Sequence, residues 1–370
     1  EGSMTERKVF RTLLSLEEAR ERIREYFSPQ PVGSEERPTW QALGQTAAED
    51  VHSSIDVPGF DRASMDGYAV RASDTFEGEE RKPVRLKVIG TIEVGAESGV
   101  ELRTDEAAEI STGAPIPKGA NAVVMVEYTQ PRDGQVDIFR PVNPRENIMA
   151  AGSDLMAGEL VLRKGEVLSP REIGLLSAIG LERVKVWRKP RVAIISTGNE
   201  LVPVGGNLSY GRIYDINANV IAGAVTECGG EVLLEGIASD TIDDLKQKLE
   251  SGLEHADIVL TSGSTSAGKG DILYRILDSY GSPGVIVHGL AVKPGKPTFV
   301  AITKGKPIFG LPGYPTSALT IFTLLVRPII GQMTGRQEPE RAEGIAAKCA
   351  SRIYSAKGRR EFLPVHLIKD

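Results

Sequence analysis

The chain has 370 residues, too many for one ordinary hydrophobic core, so two to four domains are expected. Its composition, 41% hydrophobic and 25% charged, is that of a soluble globular protein, and 40 Gly with 22 Pro favour turn-rich, sheet-containing domains over helical bundles. A formal net charge of -6 argues against a nucleic-acid surface, and no apolar run approaches the ~20 residues that span a bilayer, so neither a nucleic-acid nor a membrane partner is expected.

Cys228 and Cys349 make no CxxC pair and no disulfide framework, which points to a reducing, cytoplasmic setting. The four histidines, His52, His255, His288 and His366, do not stand at metal-ligand spacing.

Taken in chain order, residues 16–27 read as an amphipathic helix, with Leu16, Ala19 and Ile23 on one face, Ser15 as N-cap and Glu18 completing a capping box. Residues 83–140 alternate apolar and polar in short runs separated by Gly and Pro turns, the pattern of a small β domain. Ser169-Pro170 predicts a helix over 171–179. Residues 188–332 alternate strands (191–195, 231–234, 258–260, 284–287, 308–309) with helices (217–228, 242–255, 272–279, 317–330), a βαβ rhythm that implies a parallel or mixed sheet covered on both faces. Beyond Gly335, strand-like segments at 345–349 and 361–368 are too few for a closed β domain.

Three motifs fall within the α/β region: Thr261-Ser-Gly-Ser-Thr-Ser-Ala-Gly-Lys-Gly-Asp271, Lys293-Pro-Gly-Lys296-Pro and Gly310-Leu-Pro312-Gly-Tyr-Pro-Thr-Ser317. Glycines let backbone N–H groups converge on an anion, and hydroxyls or lysines bind it. Loops of this kind at the carboxyl ends of strands in one sheet would form one pocket for a polyanion. Acids lie near the same strand ends. Glu200 follows the strand over 191–195, and either holds a cation or complements a helix start. Asp240 follows the strand over 231–234, and Asp271 stands where a phosphate loop meets a helix, as a Mg²⁺ ligand or as a cap. Before the helix over 217–228, Asp215, Asn217 and Asn219 are caps or an anion site. Nearer the N-terminus, Asp61-Arg-Ala-Ser-Met-Asp66-Gly-Tyr and Ser111-Thr112-Gly-Ala-Pro-Ile-Pro are turns or site loops.

In order and spacing these motifs resemble the MoeA/gephyrin E-domain family, the molybdopterin molybdenumtransferases, over essentially the whole chain. The resemblance implies a multidomain α/β plus β fold. A discontinuous helical linker domain would take residues 4–48 and 143–186, a β domain 49–142, a three-layer α/β domain with a mixed sheet 187–332, and a truncated C-terminal β domain 333–370. It implies a homodimer that inserts molybdate into adenylylated molybdopterin with Mg²⁺ and releases AMP, the pterin being supplied by the molybdopterin adenylyltransferase. On this reading Ser262, Gly263, Ser264, Ser266, Lys293, Lys296, Pro312, Ser317 and Arg360 hold pterin phosphate and molybdate. Asp66, Glu200, Asp240 and Asp271 are catalytic, with Asp240 and Asp271 on the metal; Thr112 binds substrate and with Asp66 completes the cleft, and Asp154 matches a further acidic position with a hinge or interface role equally open. The chain departs from the pattern at Ser264, which replaces a Gly, at Tyr314, which replaces an Asn, and at Gly289, where some members carry Lys. Gly358-Arg-Arg360-Glu-Phe matches the opening of the C-terminal domain, whose remainder is expected to be missing or differently built. A tungstate-inserting homologue and a non-catalytic scaffold are the alternatives.

Overall fold

The computed structural model describes residues 13–95, 99–263, 270–281, 283–336, 345–353, 355 and 358–368, with Gly270 and Asp271 as backbone only. The chain divides into two compact units. One comprises Glu1–Glu49, Lys164–Ser169 and Arg183–Asp370; the other comprises Asp50–Arg163 and Pro170–Glu182.

The first unit opens with helix α1 (Leu16–Tyr26), which starts at the predicted capping box: Ser15 Oγ accepts from Glu18 N–H, and Ser15 N–H donates to the Glu18 carboxylate. Its buried stripe is Leu16, Ala19 and Ile23. The α/β region follows: β1 (Arg191–Thr197), α2 (Ile216–Glu227), β2 (Glu231–Ala238), α3 (Ile242–His255), β3 (Ile258–Ser262), α4 (Gly270–Ser279), β4 (Gly284–His288), β5 (Val292–Lys293), β6 (Phe299–Thr303), β7 (Lys306–Leu311), the helical stretch α5 (Pro315–Met333) and β8 (Arg360–Glu361).

Six of these strands form one sheet in the order β2-β1-β3-β7-β6-β4. The pairs β2/β1, β1/β3 and β3/β7 are parallel, whereas β6 runs antiparallel to both β7 and β4. Burial on both faces accounts for the apolar runs. Along β1, Val192 and Ile194 enter a core with Ile221 and Val225 of α2 and Phe322 and Leu325 of α5. The alternate residues, Ala193 and Ile195, enter a second core with Leu249 and Leu253 of α3 and Leu277 of α4. The strand period of two therefore feeds two opposite layers of helices.

Strand β6 is absent from the sequence prediction. It is a short apolar run, buried throughout and joined to β7 by Lys304-Gly305, both at positive φ. That two-residue turn was its signal. Helix α5 starts at Pro315, two residues earlier than predicted, because Pro is pre-organised for the first helical position. Phe322–Val326 is a π-turn that lies just ahead of Pro328, whose missing N–H breaks the α-helical ladder. By length and composition α5 could cross a bilayer, but more than half of it is buried, with Phe322, Val326 and Ile330 in the core.

Past Gly335 the expected strands over 345–349 and 361–368 do not form. Among the described residues past Gly335, only β8 enters a ladder, parallel to β5. Ile345, Val365, Leu367 and Ile368 are exposed, so their alternation has no apolar surface to cover and no neighbour to fix its register.

The second unit contains a six-stranded mixed sheet in the spatial order 122–125, 67–70, 106–110, 84–92, 135–138, 129–132. The pair 84–92 and 106–110 is parallel. Gly67–Val70, a strand that follows directly on Asp66, is buried along its whole length between two partners. The helix Pro170–Ala178 forms where Ser169-Pro170 predicted it.

Candidate functional site

All the strands of the first unit's sheet except β6 run in one direction. Their carboxyl ends, together with the start of β6, therefore share one edge, the usual ligand edge of α/β sheets. In spatial order this edge carries Asp240 after β2, Glu200 after β1, Ser262 and Gly263 at the end of β3, Pro312-Gly313-Tyr314 after β7, and Lys293 to Pro297 ahead of β6. Carboxylates lie at one end, lysines at the other, and glycine-bearing loops between them.

At the acidic end, Asn199 joins the two loops by accepting from Asp240 N–H at 3.2 Å. Glu200 is exposed, and it precedes the short strand Leu201–Val202 rather than a helix, which removes its helix-start reading. Asp244 braces the Asp240 loop by accepting from Ser239 N–H and Oγ, both at 2.7 Å, and these bonds hold its carboxyl below the usual range. Among the described residues no three His, Cys, Asp or Glu side chains converge as a metal cluster.

In the middle, Gly263 has φ +109°, and a Cβ there would overlap the Thr197 carbonyl oxygen. Only glycine lets the β3 loop leave this close to β1. Thr197 Oγ1 donates to the Ser262 carbonyl at 3.0 Å, which holds the two strand ends together. Ser264 and Ser266 lie outside the described residues, as does the Asp271 side chain; its backbone stands in the first turn of α4.

Asn217 was legible in the sequence only as a possible cap or anion site. The cap is in fact Asp215, which accepts from Ala218 N–H at 3.1 Å. Asn217 is 8% exposed, and its Nδ2 donates to Ser262 Oγ at 2.6 Å and to the Gly313 carbonyl at 2.8 Å. It thereby ties the β3 end to the β7 loop. Its buried Oδ1 has no partner among the described residues. Ser317 is half-buried in the first turn of α5, while Tyr314 is 71% exposed and makes no side-chain cap to that helix.

At the basic end, Gly295 has φ +113° and packs against Ile321, which leaves no room for a side chain. Lys293 is paired with Glu361 across the β5/β8 ladder at 2.8 Å. Lys296 is half-buried, and its carbonyl accepts from Leu290 N–H at 3.0 Å. Arg360 is exposed, paired with Glu17 and set over the Phe362 ring. The β8 ladder thus brings Arg360 and Lys293 to neighbouring strands.

A cavity of about 510 Å³ between α1 and the edge strand β4 lies elsewhere, lined by Leu14, Glu18, Glu21, Arg22, Glu25, Ile286 and His288. Its three carboxylates would repel a polyanion, so the glycine- and lysine-bearing edge is the better ligand site.

In the second unit, Asp66 and Thr112 meet: Asp66 Oδ1 accepts from Thr112 N–H at 2.6 Å and from Thr112 Oγ1 at 2.9 Å. These bonds, the backbone one first, hold the Asp66 carboxyl below the usual range, and the carboxylate remains exposed. Asp61 instead ties down its own loop, accepting from Ala151 N–H at 2.8 Å and pairing with Arg145. Asp154 lies 4.0 Å from Arg62.

Two family models match the chain. The MoeA N-terminal region (domain I and II) covers residues 14–180, and the "Probable molybdopterin binding domain" covers 193–332. Molybdopterin molybdenumtransferase 2 of Mycobacterium tuberculosis is 36% identical over 332 residues, 88% of this chain and 81% of the relative. Molybdopterin molybdenumtransferase of Haemophilus influenzae is 34% identical over 351 residues, 95% of this chain and 85% of the relative. Among solved structures, a molybdopterin biosynthesis MoeA protein from Pyrococcus horikoshii superposes with a TM-score of 0.77 at 47% identity, covering 88% of this chain and 81% of that one.

Proposed function

Because the chain belongs to the MoeA family of molybdopterin molybdenumtransferases, enzymes of molybdenum cofactor biosynthesis, we propose that it inserts molybdate into adenylylated molybdopterin and releases AMP at the sheet edge just described. The observation that carries this reading is the order of chemistry along the edge: acids beyond β2 and β1, glycine loops at β3 and β7, lysines ahead of β6. Four strand spacings separate β2 from β6, about 19 Å at ~4.8 Å each, which suits a ligand with two separately recognised ends.

At the basic end, Lys293 and Lys296 supply charge for a tetrahedral dianion, and Ser317 and the Pro312-Gly313 backbone supply polar contacts. Arg360 adds a third cation on the neighbouring strand. In the middle, Ser262 and Gly263 receive the pterin phosphate, with Ser264 and Ser266 in the same loop. Glu200 and Asp240 at the acidic end, with Asp271 from the start of α4 after β3, serve the phosphoanhydride. Carboxylates are hard oxygen donors that suit Mg²⁺, which takes one or two of them and fills its shell from phosphate oxygens and water. When bound, Mg²⁺ would offset charge on the phosphates. The protein's own carboxylates orient the water that adds to one phosphorus while the bridging oxygen leaves with the other; AMP departs and the phosphate stays on the pterin. Asp66 and Thr112 are proposed to act in the same reaction.

The proposal extends to a cytoplasmic homodimer supplied by the molybdopterin adenylyltransferase. Its organisation has four parts: 4–48 with 143–186, 49–142, 187–332 and 333–370. The test is AMP release from adenylylated molybdopterin with Mg²⁺, with and without molybdate, by the wild type and by Asp271→Asn. Molybdate-dependent release that disappears in the variant is expected. A folded wild type that releases none overturns the proposal.

A further inference from the structure

One cation of the proposed oxyanion subsite, Lys293, has a built-in competitor, an inference that rests on the reading of Lys293 given above. In the β5/β8 ladder Val292 stands opposite Arg360 and Lys293 opposite Glu361. Arg360 N–H donates to the Ala291 carbonyl at 2.9 Å and Phe362 N–H to the Lys293 carbonyl at 2.8 Å, so the backbone holds the two side chains in register. Lys293 Nζ lies 2.8 Å from Glu361 Oε1, with the lysine side chain 51% exposed and the glutamate 10% exposed. The ammonium faces solvent and the carboxylate beneath it is largely out of water. A charge so placed is poorly screened by salt.

An ammonium has three donors, so Lys293 can serve Glu361 and a dianion together. The two negative charges then lie within reach of one lysine and repel each other. We propose that Glu361 is an affinity-setting residue: it fixes the Lys293 ammonium in place and, by its charge, holds down the loop's affinity for tetrahedral dianions such as molybdate. The second ion pair on the same strand serves as an internal comparison. Glu17, which pairs with Arg360, is 59% exposed, so water screens its carboxylate and the Glu17 charge has little effect on a nearby anion.

Binding of molybdate, and of sulfate as a second dianion, is to be measured by titration calorimetry at fixed ionic strength on the full chain. The variants are Glu361→Gln, Glu361→Asp, Glu17→Gln and Lys293→Met. Glu361→Gln keeps the backbone ladder and an oxygen for Lys293 but removes the charge, and it is expected to bind both dianions about tenfold more tightly. Glu361→Asp keeps the charge and stays within about twofold of wild type, as does Glu17→Gln. In turnover Glu361→Gln lowers the KM for molybdate without raising kcat, the signature of uniform binding. A residue that only supported the fold would weaken binding when changed. If Lys293→Met loses molybdate while Glu361→Gln binds it no more tightly than wild type, the inference is overturned and the oxyanion reading stands. If Lys293→Met binds molybdate like the wild type, the oxyanion reading itself fails.

Discussion

Asn217→Ala removes the link between the two loops that flank the proposed pterin-phosphate site. The wild-type side chain donates to Ser262 Oγ at 2.6 Å and to the Gly313 carbonyl at 2.8 Å from a position only 8% exposed. Each net hydrogen bond is worth about 1 kcal/mol, and Ser262 is itself buried, so its hydroxyl gains no water in exchange. Removing Oδ1, which has no partner among the described residues, returns part of that loss. The expected net destabilisation is about 1–2 kcal/mol. For a domain of this size that lowers Tm by roughly 2–8 °C. If the clamp also preorganises the site, affinity for adenylylated molybdopterin falls roughly 5- to 30-fold, the same free energy expressed as a ratio. Scanning calorimetry gives the first number and titration calorimetry the second, while hydrogen exchange at the amides around Gly313 reports the loop directly. A variant with wild-type Tm and wild-type affinity would refute the clamp.

Gly263→Ala combines a left-handed φ with overlap on the Thr197 carbonyl, so it is expected to lose more than about 2 kcal/mol and most ligand binding; an alanine variant as stable as wild type would contradict this. Tyr314→Asn supplies the cap that α5 lacks and is expected to raise stability by about 1 kcal/mol, seen as a higher Tm; no increase would show that the start of α5 gains nothing from a side-chain cap. Asp66 is expected to titrate below the ordinary Asp value of 3.8 by carboxyl NMR. Because its folded pKa is depressed, whatever stability the Asp66–Thr112 contact contributes is present above pH 3.8 and is lost as pH falls through the lower, folded value. Thr112→Ala removes the hydroxyl but keeps the larger, backbone cause, so the Asp66 pKa returns only part of the way; a wild-type Asp66 at or above 3.8 would contradict the bonding seen.

Periodicity located what local chemistry decides. Helix α3 spans the predicted residues because an amphipathic stripe, acids in the first turn and a histidine in the last all agree. β3 and β1 were visible as apolar runs, since both faces of that sheet are covered. β6 is the same kind of run, but it follows directly on the lysine motif and is marked only by the Lys304-Gly305 turn behind it. The strands expected near the C-terminus had alternation without a surface to bury. Within the site, glycines and lysines are legible because their backbone and charge needs mark them. Asn217 is not, because its partners lie 45 and 96 positions away. The same holds for Glu361, whose meaning comes from a strand pairing that the sequence does not show.

The central claim is that the edge is divided, with cation chemistry at the β2 and β1 end and oxyanion chemistry ahead of β6. The most direct test is the AMP-release assay, titrated separately with Mg²⁺ and with molybdate, on Asp240→Asn and Lys296→Ala. Asp240→Asn is expected to shift the Mg²⁺ dependence and leave the KM for molybdate near wild type, and Lys296→Ala to do the reverse. If both variants shift the same titration, or if neither shifts either, the division of the edge is wrong.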